Sequence, residues 1–149
     1  MATFDIVYDK SIDGSAYGFR KLLVVGADIF EYSSRKGKIE SPSILRNSDA
    51  EVALKAINSF DYFYLPTYDA NVQLISKASS KNKKFIINLS DITSRDGSDL
   101  SRVLYRISQF IKYCNSYNAD YVFVSMARDK TSMRSSRESK LIQDYLTNQ

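Results

Sequence analysis

FIINLSDITSRDGSDLSRVLYRISQFIKYCNSYNADYVFV, residues 85–124, contains two short apolar segments separated by a long amphipathic one. In the middle segment, from residue 98 to about residue 117, apolar residues recur at the spacing of a helix with one buried face. The flanking segments, 85–89 and 121–124, are apolar almost throughout rather than at alternate positions. Because such strands are typical of parallel sheets buried on both faces, the stretch predicts a strand–helix–strand unit.

The same alternation extends over the rest of the chain. Further strands are predicted over residues 4–8, 28–32 and 60–65, and residues 35–47 hold a short strand around Ile39 or Ile44, or none. Further helices are predicted over residues 15–25 with Gly26 as a cap, from Ser48, from Asp69 or Asn71, and over residues 138–146.

These elements describe a mainly parallel sheet covered by helices. Two architectures fit the pattern, an open doubly wound sheet and a closed β/α barrel. A complete barrel of eight units typically takes roughly 250 residues. A chain of 149 residues would therefore form a reduced or incomplete barrel, and we expect a single β/α domain over residues 1–149.

Composition excludes several kinds of enzyme. The chain has no histidine, which removes the commonest general base and every Ser-His or Cys-His nucleophile. Its one cysteine, Cys114, can form neither an internal disulfide nor a Cys-rich zinc site, and its place on the apolar helix face predicts a small buried side chain. The acidic amino terminus and the lack of a long apolar segment lead us to expect a soluble, cytoplasmic protein without membrane contact.

In either architecture, functional side chains gather where the strands end. Those ends carry hydroxyls, carboxylates and an arginine, namely Asp9, Ser33, Ser34, Arg35, Thr67, Ser90, Asp91 and the segment 125–128. The sequence therefore predicts a functional site at these strand ends, here called the rim. These residues alone do not identify a reaction.

A basic cluster follows the last predicted strand, in SMARDKTSMRSSRES at residues 125–139. Ser135 and Glu138 have the spacing of a capping box, which puts Arg134 directly before the cap and Arg137 in the first helical turn. Cations there are unfavourable by roughly 0.3–1 kcal/mol each, whereas a phosphate would meet free backbone N–H groups and two guanidinium groups. The alternative is that both arginines pair with rim carboxylates such as Asp91 or Asp129.

Other basic and aromatic residues also have ordinary structural roles. Three arginines lie in the loop before the long helix and on its polar face: Arg95, Arg102 and Arg106. Three lysines precede a predicted strand, where lysine often serves solubility: Lys81, Lys83 and Lys84. Tyrosine rings can stack on nucleic-acid bases. Four tyrosines nevertheless occupy positions typical of a core, where we expect the rings to pack against other side chains: Tyr62, Tyr64, Tyr121 and Tyr145.

Four segments occur in a recognisable order: INLSDI (87–92), SRVLYRISQFIKYCNSYNAD (101–120), VSMA (124–127) and MRSSRE (133–138). Together they resemble the archaeal and eukaryotic ribonuclease P protein component 3 family. In that family a strand ends in a Leu-Ser turn, a helix with a Tyr-Arg pair follows, a strand closes in Ser-Gly-Ala, and Leu-Arg-Ser-Pro-Arg-Glu opens the final helix. The resemblance covers residues 60–146. Met126 stands where the family usually has glycine, and Ser136 where it has proline.

The resemblance implies a non-catalytic subunit of ribonuclease P, the ribonucleoprotein that removes 5′ leaders from precursor tRNA. Such a subunit is a reduced TIM-like barrel that braces the catalytic RNA together with a small ferredoxin-like protein subunit, and it meets precursor tRNA only indirectly. The RNA carries the chemistry and its Mg²⁺, so we expect the protein itself to bind no cofactor.

The resemblance also assigns RNA contacts. Arg134 and Arg137 match the arginines of the family's last motif. Charge and position extend these contacts to further residues: Arg128, Lys130, Arg95, Arg102 and Arg106.

The amino-acid sequence also allows two other functions. A metal-dependent phosphoesterase-like enzyme of similar barrel fold would hold Mg²⁺ through rim carboxylates, namely Asp5, Asp9, Asp28 and Asp91. Such enzymes rely on histidine-rich metal clusters, which this chain has no residues to form. A protein scaffold would instead use the basic patch to bind an acidic protein surface.

Overall fold

The computed structural model describes residues 4–148. Its strands within this range are β1 (Phe4–Val7), β2 (Lys21–Val24), β3 (Phe30–Tyr32), β4 (Ser43–Arg46), β5 (Tyr62–Tyr64), β6 (Lys84–Asn88) and β7 (Asp120–Val124). Its α-helices are α1 (Ala50–Lys55), α2 (Val72–Ser80), α3 (Ser90–Thr93), α4 (Gly97–Ser116) and α5 (Ser136–Thr147). Short 3₁₀ turns lie at Gly14–Tyr17 and Lys130–Ser132.

The paired strands of the described chain are all parallel, and spatial neighbours follow chain order. β1 pairs with β2, and β3 to β7 form a five-stranded sheet. Single β-bridges link these two sheets, one between Val7 and Ala127 and one between Val25 and Ile29. The predicted α/β fold with mainly parallel strands is confirmed, and the arrangement is compatible with an incomplete TIM-like barrel.

A row of aromatic rings fills the core between the five-stranded sheet and its helices. Phe63 on β5 and Phe85 on β6 have ring centroids 6.4 Å apart, and Phe110 on α4 meets Phe85 edge to face at 5.1 Å. All three rings are buried. An edge-to-face pair of this kind stabilises a fold by about 0.5–1.5 kcal/mol beyond the burial of its area. The aromatic row therefore ties α4 to the middle of the sheet.

Helix α4 matches its predicted range to within one residue at each end. Its buried face is formed by Val103, Ile107, Phe110, Ile111 and Cys114. The helix packs on β7 and contacts both α2 and α5. Burial raises the pKa of the Cys114 thiol to about 12, which agrees with the predicted role of a small buried side chain.

The helix predicted over residues 15–25 is wrong. The chain makes only one 3₁₀ turn, which ends at Gly18 in the left-handed conformation with φ 82°, and it then forms β2 beside β1. Glycine within a helix costs about 1 kcal/mol relative to alanine, so Gly14 and Gly18 weaken the helical alternative. The apolar run at residues 22–25 is rich in valine and leucine, and pairing with β1 selects the extended form.

Several element boundaries differ from the predictions. The uncertain segment 35–47 contains β4 at Ser43–Arg46, which continues the sheet between β3 and β5. Asp49 rather than Ser48 caps α1, and Asn71 caps α2. The short helix α3 was not predicted.

The capping box formed by Ser135 and Glu138 is confirmed, and the last helix begins at Ser136, directly after that cap and two residues before the predicted span 138–146. Tyr145 on this helix is 58% exposed, so its predicted core position is wrong. Tyr64 is buried, and Tyr62 and Tyr121 are half-buried.

Candidate nucleic-acid interface

A buried carboxylate fixes the backbone where β7 ends. Asp5 on β1 is 1% exposed; its Oδ1 accepts the backbone N–H of Ser125 at 2.7 Å, and its Oδ2 accepts the Ser125 hydroxyl at 2.6 Å. Desolvation raises the pKa of Asp5, while hydrogen bonds from Ser125 and Ile6 oppose that rise. The Ser90 hydroxyl donates to the Ser125 carbonyl at 2.6 Å, so the ends of β6 and β7 are joined as well.

The chain then turns sharply at Met126. This residue has φ 46°, in the left-handed region that is uncommon for residues other than glycine. Its N–H donates to the Ile6 carbonyl, and the Tyr8 N–H donates to the Ala127 carbonyl, both at 2.8 Å. Met126 points into the core, whereas Arg128 is exposed. The turn therefore delivers Arg128 to the surface at the end of β1.

A cleft of about 360 Å³, here called the rim cleft, opens beside this turn. It is lined by Tyr8, Arg46, Asn88, Ser90, Asp91, Ser94, Met126, Arg128, Asp129 and Ser132. These residues lie at the ends of β1, β4, β6 and β7 or in the segments that follow those strands. The sequence placed Ser90, Asp91 and the 125–128 segment at this rim, and the structure brings them together.

Two arginines meet tyrosine rings in the rim cleft. The guanidinium carbon of Arg128 lies 4.3 Å from the centroid of the Tyr8 ring, and that of Arg46 lies 5.3 Å from the centroid of the Tyr64 ring. Arg46 Nη1 also donates to the Tyr8 hydroxyl at 3.5 Å. Desolvation, with the hydrogen bond from the Tyr8 hydroxyl to Glu31, raises the pKa of Tyr8 to about 12. Cation–π contacts thus orient both guanidinium groups.

The carboxylates of the rim cleft already have partners. Asp91 Oδ2 accepts the hydroxyls of Tyr64 at 2.6 Å and Tyr68 at 2.7 Å. Desolvation and Asp91 both raise the pKa of each tyrosine. Asp129 Oδ1 accepts the Thr131 hydroxyl at 2.7 Å and the Ser132 N–H at 3.0 Å, and these bonds lower the pKa of Asp129.

The two arginines at the start of α5 are therefore not paired with Asp91 or Asp129, and that alternative is wrong for those two carboxylates. Arg134 Nη1 donates to the Met133 carbonyl at 3.0 Å, and its Nε lies 4.0 Å from Glu138 Oε2. Glu138 is more than half exposed, so this contact is a weak surface ion pair. Arg137 is exposed and forms no ion pair with any residue between 4 and 148.

A second basic site, here called the arginine groove, lies at the end of β5. Its volume is about 220 Å³, and its lining residues are Pro66, Thr67, Arg95, Asp99, Arg102, Val103 and Arg106. The three arginines that the sequence placed around the long helix thus share one groove. Arg102 lies 3.9 Å from Asp99, and both side chains are about 70% exposed, so the pair contributes little.

Other predicted rim residues lie elsewhere. Asp9 accepts the N–H and the hydroxyl of Ser11, and these bonds lower the pKa of Asp9. Arg35 donates to the Lys55 carbonyl at 3.0 Å, and the Ser33 carbonyl accepts the Asn47 amide. Thr67 belongs to the arginine groove.

Among the rim-cleft residues that sequence reasoning missed are Tyr8, Arg46 and Asn88. Arg46 and Asn88 are the last residues of their strands and Tyr8 directly follows β1, positions where a strand prediction alone assigns the side chain to packing. Arg46 could have been recognised from the sequence, because it is a charged residue at the end of the short apolar run that forms β4.

Each of the four aspartates considered as metal ligands forms hydrogen bonds with different partners. Asp5 binds Ser125, Asp9 binds Ser11, Asp28 accepts the Val24 N–H at 3.0 Å, and Asp91 binds tyrosine hydroxyls. Over residues 4–148, no three or more Asp, Glu or Cys residues gather in a group that could hold a metal ion. None of the helices described for this chain is long and apolar enough to cross a membrane.

Comparisons with known proteins give a likeness of fold and no match of sequence family. No protein-family model and no curated protein matches the chain. Among solved structures, the fold is similar to that of a chain in a cryo-EM structure of archaeal ribonuclease P with mature tRNA. The superposition has a TM-score of 0.70 at 14% sequence identity, and it covers 96% of this chain and 72% of that chain. At this level of identity the likeness establishes a shared fold.

Proposed function

We propose that this chain is a protein subunit of a ribonuclease P and that it binds RNA through basic side chains at the carboxyl ends of its strands. The observation that carries the proposal is the fold that 96% of the chain shares with a chain of an archaeal ribonuclease P. The ordered motifs in residues 60–146 support the same assignment, because they are a property of the amino-acid sequence and independent of the fold comparison.

The start of α5 is the proposed principal contact with RNA. Arg137 is exposed beside the positive end of the α5 dipole, and the ion pair of Arg134 with Glu138 is a weak surface contact. A phosphate there would relieve the unfavourable interaction between these cations and the helix end. Arg128 and Lys130 are exposed on the preceding loop and extend the contact. The arginine groove supplies further phosphate contacts through Arg95, Arg102 and Arg106.

In this proposal the RNA performs the cleavage and the protein stabilises its fold. RNA backbone binding needs arginine and lysine on a rigid scaffold, and it needs neither histidine nor a metal site. The proposed partners are the ribonuclease P RNA and a small ferredoxin-like protein subunit, with precursor tRNA contacted indirectly. The Mg²⁺ of the holoenzyme would be bound by the RNA.

Reconstitution of precursor-tRNA cleavage tests the proposal. We expect the cognate ribonuclease P RNA and the partner subunit to cleave precursor tRNA better with this chain than without it, at limiting Mg²⁺. The Arg134→Ala/Arg137→Ala variant should bind that RNA more weakly, and the difference from the parent should shrink as salt rises. Lys81→Ala/Lys83→Ala is the matched control, because it removes two positive charges far from α5 in sequence.

Three results would contradict the proposal. One is equal RNA affinity for the parent and the arginine variant at low salt. Another is an unchanged cleavage rate when the chain is added. The third is robust metal-dependent cleavage of precursor tRNA by the chain alone, which would identify an enzyme.

A further inference from the structure

One edge of α4 carries two arginines and two tyrosines in line. Arg102, Arg106, Tyr113 and Tyr117 follow one another at intervals of four, seven and four residues. Each interval is close to a whole number of helical turns, so the four side chains project from the same edge. At 1.5 Å per residue the row, here called the α4 stripe, is about 22 Å long.

The tyrosines of the α4 stripe present their rings to the surface. Tyr113 is 41% exposed and Tyr117 is 39% exposed, and neither hydroxyl has a hydrogen-bond partner within residues 4–148. Both lie beside the helix face that Ile107, Phe110 and Cys114 bury, and more than half of each tyrosine is covered by the protein. The exposed part of each ring faces solvent, where a planar ligand can reach it.

The arginine end of the stripe is positively charged. Arg102 and Arg106 line the arginine groove with Arg95, and Asp99 is the one acidic residue among the described residues that line it. The ion pair of Asp99 with Arg102 is exposed to solvent and too weak to neutralise the groove. A polyanion is therefore the complementary ligand for this end.

We infer that the α4 stripe binds a single-stranded segment of RNA, with phosphates on Arg102 and Arg106 and bases stacked on Tyr113 and Tyr117. Basic grooves that continue into aromatic platforms are the recurring solution for single strands, because every base has a face that can stack. A duplex keeps its bases stacked internally and offers phosphates and 2′-hydroxyls, which leave tyrosine rings unused. This inference rests on the proposed function and specifies the kind of RNA segment that one face of the protein takes.

Fluorescence anisotropy with two labelled RNAs tests the inference. One is a single-stranded oligouridine of about 12 nucleotides, a length within the range of known single-strand sites, and the other is a hairpin duplex. Tyr113→Ala/Tyr117→Ala should weaken oligouridine binding about tenfold or more and leave hairpin binding unchanged. Arg102→Gln/Arg106→Gln should lower the slope of log affinity against log salt by about 0.7 per arginine.

Tyr105→Ala is the matched control. Tyr105 lies on the same helix and is 66% exposed, but it points about 80° away from Tyr113 and about 120° away from Tyr117. Its removal should leave oligouridine affinity unchanged. Tyr113→Phe/Tyr117→Phe keeps both rings and should bind oligouridine like the parent. This variant shows that weaker binding by the alanine pair comes from the lost rings. In the parent, a 2-aminopurine base within the oligonucleotide should change its fluorescence on binding, and the alanine pair should abolish that change.

The inference is overturned if the alanine pair binds oligouridine as the parent does, or if it loses hairpin and oligouridine equally. It is also overturned if the stripe variants bind RNA as the parent does but no longer bind an acidic protein. These results leave the proposed function intact when the parent still stimulates precursor-tRNA cleavage. Loss of that stimulation, with oligouridine binding retained, would instead remove the proposed function alone.

Discussion

Met126 combines a backbone conformation that favours glycine with a side chain that fills the core. A left-handed conformation costs a non-glycine residue roughly 1–2 kcal/mol, whereas removal of a buried methionine side chain costs about 2–5 kcal/mol. Because the packing loss is the larger effect, we expect Met126→Gly to lower the free energy of unfolding by about 1–3 kcal/mol. Urea denaturation measures this change.

Met126→Ala is the comparison that isolates the backbone contribution. Alanine loses nearly the same packing but keeps the left-handed penalty, so it should be less stable than the glycine variant by about 1 kcal/mol. An alanine variant as stable as the glycine variant would mean that Met126 carries no backbone strain.

The buried carboxylate of Asp5 makes stability depend on pH in a specific direction. Its pKa is raised in the folded protein above the ordinary value of 3.8, so the folded state holds a proton that the unfolded state releases first. Stability from this group is therefore greatest at low pH and declines as pH rises from 3.8 through the folded pKa.

Asp5→Asn tests this dependence, because an amide of the same shape does not titrate. The free energy of unfolding of the parent minus that of the variant should fall as pH rises from about 3.5 to 7. Other groups titrate alike in both proteins and cancel in the difference. A difference that is flat or grows with pH would show that Asp5 is not destabilised as an anion.

Among the secondary-structure elements, those with a clear local pattern were predictable, whereas β2 was not predicted and β4 was uncertain. α4 has twenty residues of periodic pattern, and the cap of α5 is set by the local pair Ser135 and Glu138. β2 and β4 have four residues each, and their identity depends on pairing with β1 and with β3 and β5. Such pairing is not encoded within the segment, and so the helix over residues 15–25 was predicted in place of β2.

The same limit applies to the candidate site. The basic loop, Ser90 and Asp91 were found because they follow strands that the sequence located well. Arg46 was missed because β4 was uncertain, and Tyr8 because it falls within the strand predicted over residues 4–8. The contact of Arg128 with the Tyr8 ring joins residues far apart in sequence, and the bridge between Val7 and Ala127 brings them together.

The first position of α5 is suited to proline. Ser136 is the first helical residue, and the preceding Ser135 has φ −67° and ψ 159°, the conformation that a following proline requires. We expect Ser136→Pro to raise the free energy of unfolding by about 0.4–1 kcal/mol through a less flexible unfolded chain. Thermal denaturation measures the change, and Ser139→Pro, inside the helix, should be destabilising by about 3 kcal/mol or more. Destabilisation by Ser136→Pro would mean that Ser136 makes a necessary contact.

The amino-terminal turn and the start of α5 lie in direct contact. A methyl group built on Gly18 would lie 2.6 Å from the Ser136 Oγ, and Gly18 has φ 82°. Gly37 has the same φ but has open space around it. Gly37→Ala should therefore cost about 1–2 kcal/mol from the backbone alone, and Gly18→Ala should cost a further ~1 kcal/mol from the contact.

Addition of Ser136→Ala to Gly18→Ala should remove that extra cost, because the clashing oxygen is gone. Chemical denaturation of the three variants gives the comparison. Equal losses of unfolding free energy for Gly18→Ala and Gly37→Ala would mean that the Ser136 side chain rotates away from the new methyl group. The amino-terminal turn and the start of α5 would then not be closely packed.

The burial of Cys114 gives the protein a practical advantage for distance measurements. The chain has one cysteine, and it is fully buried with a thiol that stays protonated at neutral pH. Maleimide reagents react with exposed thiolates, so a cysteine introduced on the surface would be labelled far faster than the native one. Pairs of dyes placed near α5 and on an RNA could then report their separation in solution while the native sequence of the core is left intact.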